Sequence, residues 1–360
     1  MSVYCQYIKS KEYYKKAVAS MDQYAGAKQY ILTDGAARGL RAIDLYTGSG
    51  FELTILPDRG MDIAHARFKG VPVAYVAKSG LKNPGLCGPE GNKEFLRYFT
   101  AGLVTTCGLD NAGEECIIDG MFYPMHGRNT ITPAENVMVE KVWEDGEYCI
   151  TVSGTMRMAA LFHENLVLRR KIKVKMGENK VTIQDEIQNE SAVSKQYMLM
   201  YHCNFGFPLV SPDSYVLSNH KKVCFFDEQS RRQNRDRSLF EKPQSEFEQN
   251  TYTLHEPVSK IVKAAVINPE IRLGAYVECN REQLGSFTQW VQLEEQDYVL
   301  GLEPGKNNPV GRRKAIEEGS AVEILPDAVH RAEVTIGVVE GKETALYEQK
   351  IKEDLAKPLL

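Results

Sequence analysis

Apolar side chains alternate with polar ones along much of this chain. In Leu40-Arg41-Ala42-Ile43-Asp44-Leu45-Tyr46 and Phe51-Glu52-Leu53-Thr54-Ile55-Leu56 nearly every second position is apolar, and Thr47-Gly48-Ser49-Gly50 supplies a turn between them. A period of two sends one face of an extended segment into a core and the other into water. The same pattern predicts strands over 71–76, 147–154, 166–174, 180–188, 196–203, 261–266, 275–278, 287–293, 298–302, 320–325 and 332–339. Turn signals recur between them, as at Lys69-Gly70, Glu144-Asp145-Gly146 and Met176-Gly177-Glu178-Asn179. Helical patterning is confined to 10–21, to 92–99 with Asn92 as N-cap, and to a polar stretch over 343–354. No strand–helix alternation is sustained, so a doubly wound sheet is disfavoured. The chain reads as all-β, a large antiparallel sandwich or barrel.

A chain of 360 residues exceeds the usual single domain, but large sandwiches run well past 200 residues as one unit. The expected organisation is an N-terminal extension over 1–25 packing on the domain, one β-sandwich domain over 26–342, and a C-terminal polar helix or tail over 343–360. The stretch 227–250, rich in Gln, Arg, Glu and Ser, reads as a long surface loop.

Net charge is 44 − 48 = −4, which argues against a nucleic-acid partner. The basic run Arg231-Arg232-Gln233-Asn234-Arg235-Asp236-Arg237 is broken by Asn and Asp and reads as solvated. No apolar run approaches the ~18–20 residues that span a bilayer. The first sixteen residues are polar and Tyr-rich, without the apolar centre of a secretory signal. Eight scattered cysteines with no CxxC pair suggest reduced thiols, hence a cytoplasmic protein.

Three distant segments carry a coherent chemical set: Met125-His126-Gly127-Arg128, Tyr201-His202-Cys203-Asn204-Phe205-Gly206-Phe207-Pro208 and Gly301-Leu302-Glu303-Pro304-Gly305. His202 and Asn204, two apart, share one face of a strand, and neither is a good core residue without partners. Glu303 ends an apolar strand, where burial raises a carboxyl pKa toward the range a general base needs. His126, with Gly127 and Arg128 beside it, suits recognition of a polyol or anion. Arg59, in Pro57-Asp58-Arg59-Gly60, is either part of a turn held by side-chain to backbone bonds or a substrate contact. Asp110, after the small-residue run Thr105-Thr106-Cys107-Gly108-Leu109, is a candidate at a pocket wall. His126, His202 and Glu303 are also a two-His, one-carboxylate set, but no tight ligand spacing is present and no metal is expected.

Val181-Thr182-Ile183-Gln184-Asp185-Glu186-Ile187-Gln188-Asn189, followed by Tyr201-His202-Cys203-Asn204-Phe205, resembles the aldose 1-epimerases, or galactose mutarotases. The His-Gly pair upstream and the Glu-Pro pair downstream occur in the same order. Together with Pro57-Asp58-Arg59-Gly60-Met61-Asp62 and Thr105-Thr106-Cys107-Gly108-Leu109, they are similar to a little-characterised bacterial branch of that superfamily, over roughly residues 25 to 340.

The resemblance implies a galactose mutarotase-like β-supersandwich of antiparallel sheets with a few short helices. It also implies cofactor-free interconversion of sugar anomers. His202 would be the acid on the ring oxygen and Glu303 the base on the anomeric hydroxyl. His126 would bind substrate, helped by Arg128 and Arg59; Asn204, which on its own pattern fixes the turn or orients His202, and Asp110 are further substrate-binding candidates. Arg after the His-Gly pair departs from the mutarotases, and no equivalent of their late substrate-binding aspartate is found. Arg59 and Arg128 leave room for an acidic or phosphorylated sugar. The expected partner is a monosaccharide, with a homodimer left open. The competing readings are a non-catalytic sugar-binding protein, disfavoured by having only Trp143 and Trp290 as tryptophans, and another reaction on the same sandwich.

Overall fold

The computed structural model describes residues 9–88 and 94–358. Among these, two large antiparallel sheets lie face to face. The first contains, in spatial order, Gly26–Ile31, Arg41–Tyr46, Phe51–Leu56, Asp62–Phe68, Val104–Leu109, Lys195–Gly206, Asp297–Gly305, Ser286–Glu294, Asn250–Pro257 and His220–Phe225. The second runs Tyr215–Ser218, Ile261–Asn268, Leu273–Asn280, Val329–Glu340, Lys180–Asn189, Asn165–Lys175, Glu147–Ala159 and Glu135–Glu144. One continuous core fills the space between them, with Phe51, Phe68, Leu199, Phe205 and Leu300 meeting Ile150, Leu168, Ile183, Val277 and Ile336. The expected all-β antiparallel sandwich is what forms.

The expectations miss edge strands, such as Gly26–Ile31 and Glu135–Glu144, and also Asp62–Phe68 inside the first sheet. Residues 71–76 form no continuous strand. Pro72 lacks the donor a ladder needs, and after the Val71–Pro72 pair only single bridges remain, Ala74 to Phe205 and Val76 to Ala101. The segment runs in the plane of the first sheet beside Lys195–Gly206, with Tyr75 N donating to Asn204 O and Gly206 N to Val73 O. The stretch 227–250 is not simply a loop. Asp227 caps a helix, Glu228–Gln233, which Asn234 ends in a left-handed conformation, and Phe240 and Phe247 are buried.

Within the basic run, Arg235 pairs with Glu241, and Arg237 donates to Gln289 and Ser218. The first helix is Lys11–Ala17, capped by Ser10, with Tyr14 against Tyr24 and Trp143. Asn92, the expected cap of the second, lies outside the described residues, and that helix covers Glu94–Tyr98. The last helix is Lys342–Leu355; its Tyr347 and Ile351 pack on the outer face of the second sheet. No helix among the described residues is long and apolar enough to cross a membrane.

A buried polar network ties the two sheets together beneath the strand that carries His202. The Arg170 guanidinium grips both oxygens of Asp185, at 2.9 and 2.6 Å, and also donates to Thr106 Oγ1 and Gly60 O. Tyr201 donates to Asp185 at 2.6 Å, and Asp62 stands 3.5 Å from Arg170. Asp62 itself accepts from Thr106 N and Thr130 Oγ1, and burial pushes its carboxyl up to about 6. Asn189, at the end of the same motif, donates to Val193 O and Ile324 O and so fixes a turn. The Asp185…Asn189 pattern is structural: it fixes the position of Tyr201, next to His202 in the chain.

Candidate active site

Strand alternation assembles the site. In Lys195–Gly206 the side chains of Tyr197, Leu199, Tyr201, Cys203 and Phe205 enter the inter-sheet core, so His202 and Asn204 face the other way. In Asp297–Gly305 the inward residues are Tyr298, Leu300 and Leu302, which turns Val299, Gly301 and Glu303 outward. In Ser286–Glu294 Phe287, Val291 and Leu293 point in, leaving Thr288, Trp290 and Gln292 on the shared face.

Register then aligns these positions. Met200 pairs with Gly305 and Cys203 with Leu302, which sets His202 opposite Glu303; Glu303 in turn pairs with Thr288. Three rows cross the sheet: His202–Glu303–Thr288, Asn204–Gly301–Trp290, and Gly206–Val299–Gln292.

In the first row His202 Nε2 stands 3.2 Å from Glu303 Oε1, with His202 6% and Glu303 3% exposed. Three rings surround the His202 imidazole edge-on: Phe99 at 5.2 Å, Trp290 at 5.4 Å and His126 at 5.8 Å between centroids. Four polar atoms on this face are buried without a hydrogen-bond partner: His202 Nδ1, Glu303 Oε1, Asn204 Oδ1 and Thr288 Oγ1. Buried polar atoms are rarely left unpaired, and these four lie on three adjacent strands. Gly301 makes room for the carboxylate, because a methyl there would overlap Glu303 Oε1.

His126 reaches the cluster from a turn. Its backbone is left-handed, φ 56°, and is held by bonds to Gly113 O and from Gly108 N. Gly127, φ 75°, fits against Asp110 Oδ1, Gly108 O and Asn111 O, where a Cβ would lie within 2.5–2.6 Å of each. His126 Nδ1 accepts from Gly113 N at 3.3 Å, so the neutral ring carries its proton on Nε2. His126 is half-buried and packs on Phe95 at 5.0 Å.

Burial sets the protonation states. Glu303 is pushed up to about 8, while His202 falls to about 3, by burial first and then by His126. His126 falls to about 4 for the same first reason. At neutral pH the pair therefore holds one proton, resting on Glu303.

His126, His202, Asn204 and Glu303 thus converge, whereas the other three candidates do not join them. Arg59 is 2% exposed, and carbonyls take up its guanidinium: Thr130 at 2.8 Å, Lys82 at 2.9 Å and Tyr98 at 2.8 Å. It staples three loops around the cluster and has no donor left for a substrate. Asp110 accepts from Arg128 N at 2.9 Å and Arg128 Nη1 at 2.5 Å, and Arg128 also donates to Phe122 O. These two brace the His126 turn. No hydrogen bond, ion pair or ring contact links Arg59, Arg128 or Asp110 to His202 or Glu303. Among the described residues no group of three His, Cys, Asp or Glu could hold a metal ion. Three contributors escaped the sequence: Gly301, Thr288 and Trp290. A glycine inside a strand two residues before a carboxylate was the signal for the first; the others need the register.

A cleft of about 610 Å³ begins beside the cluster, over the second and third rows, lined by Tyr75, Lys82, Phe99, Trp290, Asp297 and Val299, among others.

The architecture, two stacked antiparallel sheets with a polar cluster on the outer face of one, is the galactose mutarotase-like fold. A Klebsiella pneumoniae structure, provisionally titled an aldose 1-epimerase, superposes with TM-score 0.88 over 93% of this chain and 91% of its own, at 22% identity. A galactose mutarotase-like protein from Clostridium acetobutylicum gives 0.62 over 89% and 100%, at 12% identity. Galactose 1-epimerase from Lactobacillus acidophilus NCFM gives 0.56 over 88% and 99%, at 13% identity. At these identities the likeness establishes the fold. Within it, the chain belongs to the family described as a domain of unknown function, DUF4432, whose pattern matches residues 37–338. No curated relative matches the sequence.

Proposed function

We propose that this protein interconverts the anomers of a monosaccharide by acid–base ring opening and closure. The observation that carries the reading is the first row: a carboxyl and an imidazole 3.2 Å apart on adjacent strands, the carboxyl protonated and the imidazole neutral, with unpartnered polar atoms around them. The two oxygens that exchange protons, O1 and the ring oxygen, sit on the same carbon, so an acid and a base close together can serve both. One group takes the proton of the anomeric hydroxyl while the other gives a proton to the ring oxygen. The C1–O bond of the ring breaks, and the aldehyde forms. Rotation about C1–C2 and reversal of both transfers yields the other anomer. Each positioned group contributes about 10²–10⁴-fold, and no cofactor enters.

In the ligand-free protein the proton rests on Glu303. Sugar hydroxyls donated to the carboxylate stabilise its charged form and move the proton toward His202, leaving Glu303 as the base on O1. His126 Nε2–H, Asn204 Oδ1 and Thr288 Oγ1 supply further bonds to sugar hydroxyls.

One-dimensional exchange NMR on a panel of aldohexoses, hexuronates and hexose phosphates tests the reading. At least one sugar is expected to equilibrate faster with protein than without it. Saturable binding with no acceleration of any sugar would replace the enzyme with a sensing protein.

A further inference from the structure

The three rows give the bound sugar a direction. Residues two apart on a strand are about 6.8 Å apart, so the cleft, lined by Trp290 of the second row and by Val299 and Gln292 of the third, begins about 7 Å along the strands from Glu303. The second row carries only the hydrogen of Gly301 at its centre, flanked by Asn204 and Trp290. A sugar with its anomeric carbon at the His202–Glu303 pair therefore lies over Gly301 beside the Trp290 ring, and its far end enters the cleft.

Charge in that cleft is one-sided. Lys78, Lys82 and Arg97 line it against a single carboxylate, Asp297. Asp297 is already taken, by Lys78 at 2.6 Å and the Tyr75 hydroxyl at 3.1 Å, and Arg97 turns to Glu94 at 3.2 Å. Lys82 has no carboxylate partner among the described residues. It is half-buried and spends one donor on Arg97 O at 2.9 Å. Its main chain is fixed by Arg59, which bonds Lys82 O and also the carbonyl of Tyr98, at the end of the helix whose Leu96 and Arg97 line the same cleft. A three-donor ammonium on a pinned backbone, lining a cleft and with two donors that have no partner among the described residues, suits an anion.

We infer that the substrate, on the acid–base reading above, is a sugar bearing an anionic group at the end remote from its anomeric carbon, and that Lys82 receives that group. Arg59, one of the arginines the sequence offered for this task, is spent on protein partners, and Arg128 is held by Asp110 and Phe122 O in the His126 turn; the cleft provides the recognition instead.

Binding separates this inference from the catalytic reading. Titration calorimetry on Glu303→Gln compares D-glucose and D-galactose with their 6-phosphates and with the corresponding uronates. At least one anionic sugar is expected to bind about 10-fold or more tighter than its neutral parent, the size of one charge-assisted bond. The preference shrinks as salt rises from 20 to 500 mM, both concentrations chosen to span the screening range. Lys82→Ala on the same background removes the preference, and Lys82→Arg restores most of it. Equal affinity for every neutral and anionic pair, or a preference untouched by Lys82→Ala in a folded protein, overturns the inference. A Lys82-dependent preference with no acceleration of any sugar by the unmutated protein leaves it standing and removes the acid–base reading instead.

Discussion

Replacing Gly301 by alanine adds one methyl group at the point where the proposed chemistry has least room. Gly301 is an interior strand residue with no left-handed φ, so its backbone accepts alanine without strain. The new Cβ overlaps Glu303 Oε1 and sits 3.3 Å from Glu303 Cδ and from Trp290 Cβ. Carbon–carbon contacts settle at about 3.5–4.0 Å, so the carboxyl must withdraw by roughly 1 Å, because Trp290 is held through Nε1 to Gln249 Oε1. A displacement of that size costs about 10²-fold in rate when it falls on a reacting group. Overpacking costs about 1–3 kcal/mol of stability, partly offset by about 0.4–1 kcal/mol from the stiffer unfolded chain. The expected result is a kcat/KM lowered about 10²-fold, measured by exchange NMR on the sugar the protein equilibrates fastest, with a folded protein by circular dichroism. Activity within about threefold of the unmutated protein would refute the claim that Gly301 makes space for the Glu303 carboxylate.

Three further outcomes follow from the same geometry. Because the single-proton form of the His202–Glu303 pair exists between about 3 and about 8, kcat/KM should be flat near neutrality and fall about tenfold per unit above pH 8; a rate that keeps climbing through pH 8 contradicts a pair that works with one proton. Glu303 titrates higher folded than unfolded, so the stability from its neutral burial is complete below about pH 4 and is lost toward pH 8 at about 1.4 kcal/mol per unit. Glu303→Gln, fixed as neutral, should therefore gain on the unmutated protein in denaturant midpoint between pH 5 and 8, and a constant difference would be the wrong result. Asp185→Ala strands the Arg170 charge between the sheets and should cost about 3–5 kcal/mol in urea unfolding; a loss under 1 kcal/mol would show that the network contributes little.

How much of this was legible beforehand depended on the range of the interactions involved. Strands with one apolar face, such as 166–174 and 180–188, declare themselves through their own residues. Edge strands such as Glu135–Glu144 put apolar residues on both faces, Val137 and Val139 on one and Met138 on the other, so no clean alternation signals them. His126, His202 and Glu303 stood out because an imidazole or carboxylate at the end of an apolar strand is costly without a purpose. Arg59, Arg128 and Asp110 looked equally suited to substrate, and only tertiary contacts decide otherwise. The carbonyls that hold Arg59 lie 23 to 71 residues away in sequence. Thr288 and Trp290 join the site purely through strand register, which no local pattern encodes.

The central claim is that one carboxyl and one imidazole, facing each other across two strands, open a sugar ring together. Its most direct test is the anomer exchange rate of the preferred sugar with His202→Ala and Glu303→Gln, each verified as folded. Both variants should fall to the uncatalysed rate, singly and in combination, because neither group can complete the proton exchange alone. Full exchange by either variant would contradict the account.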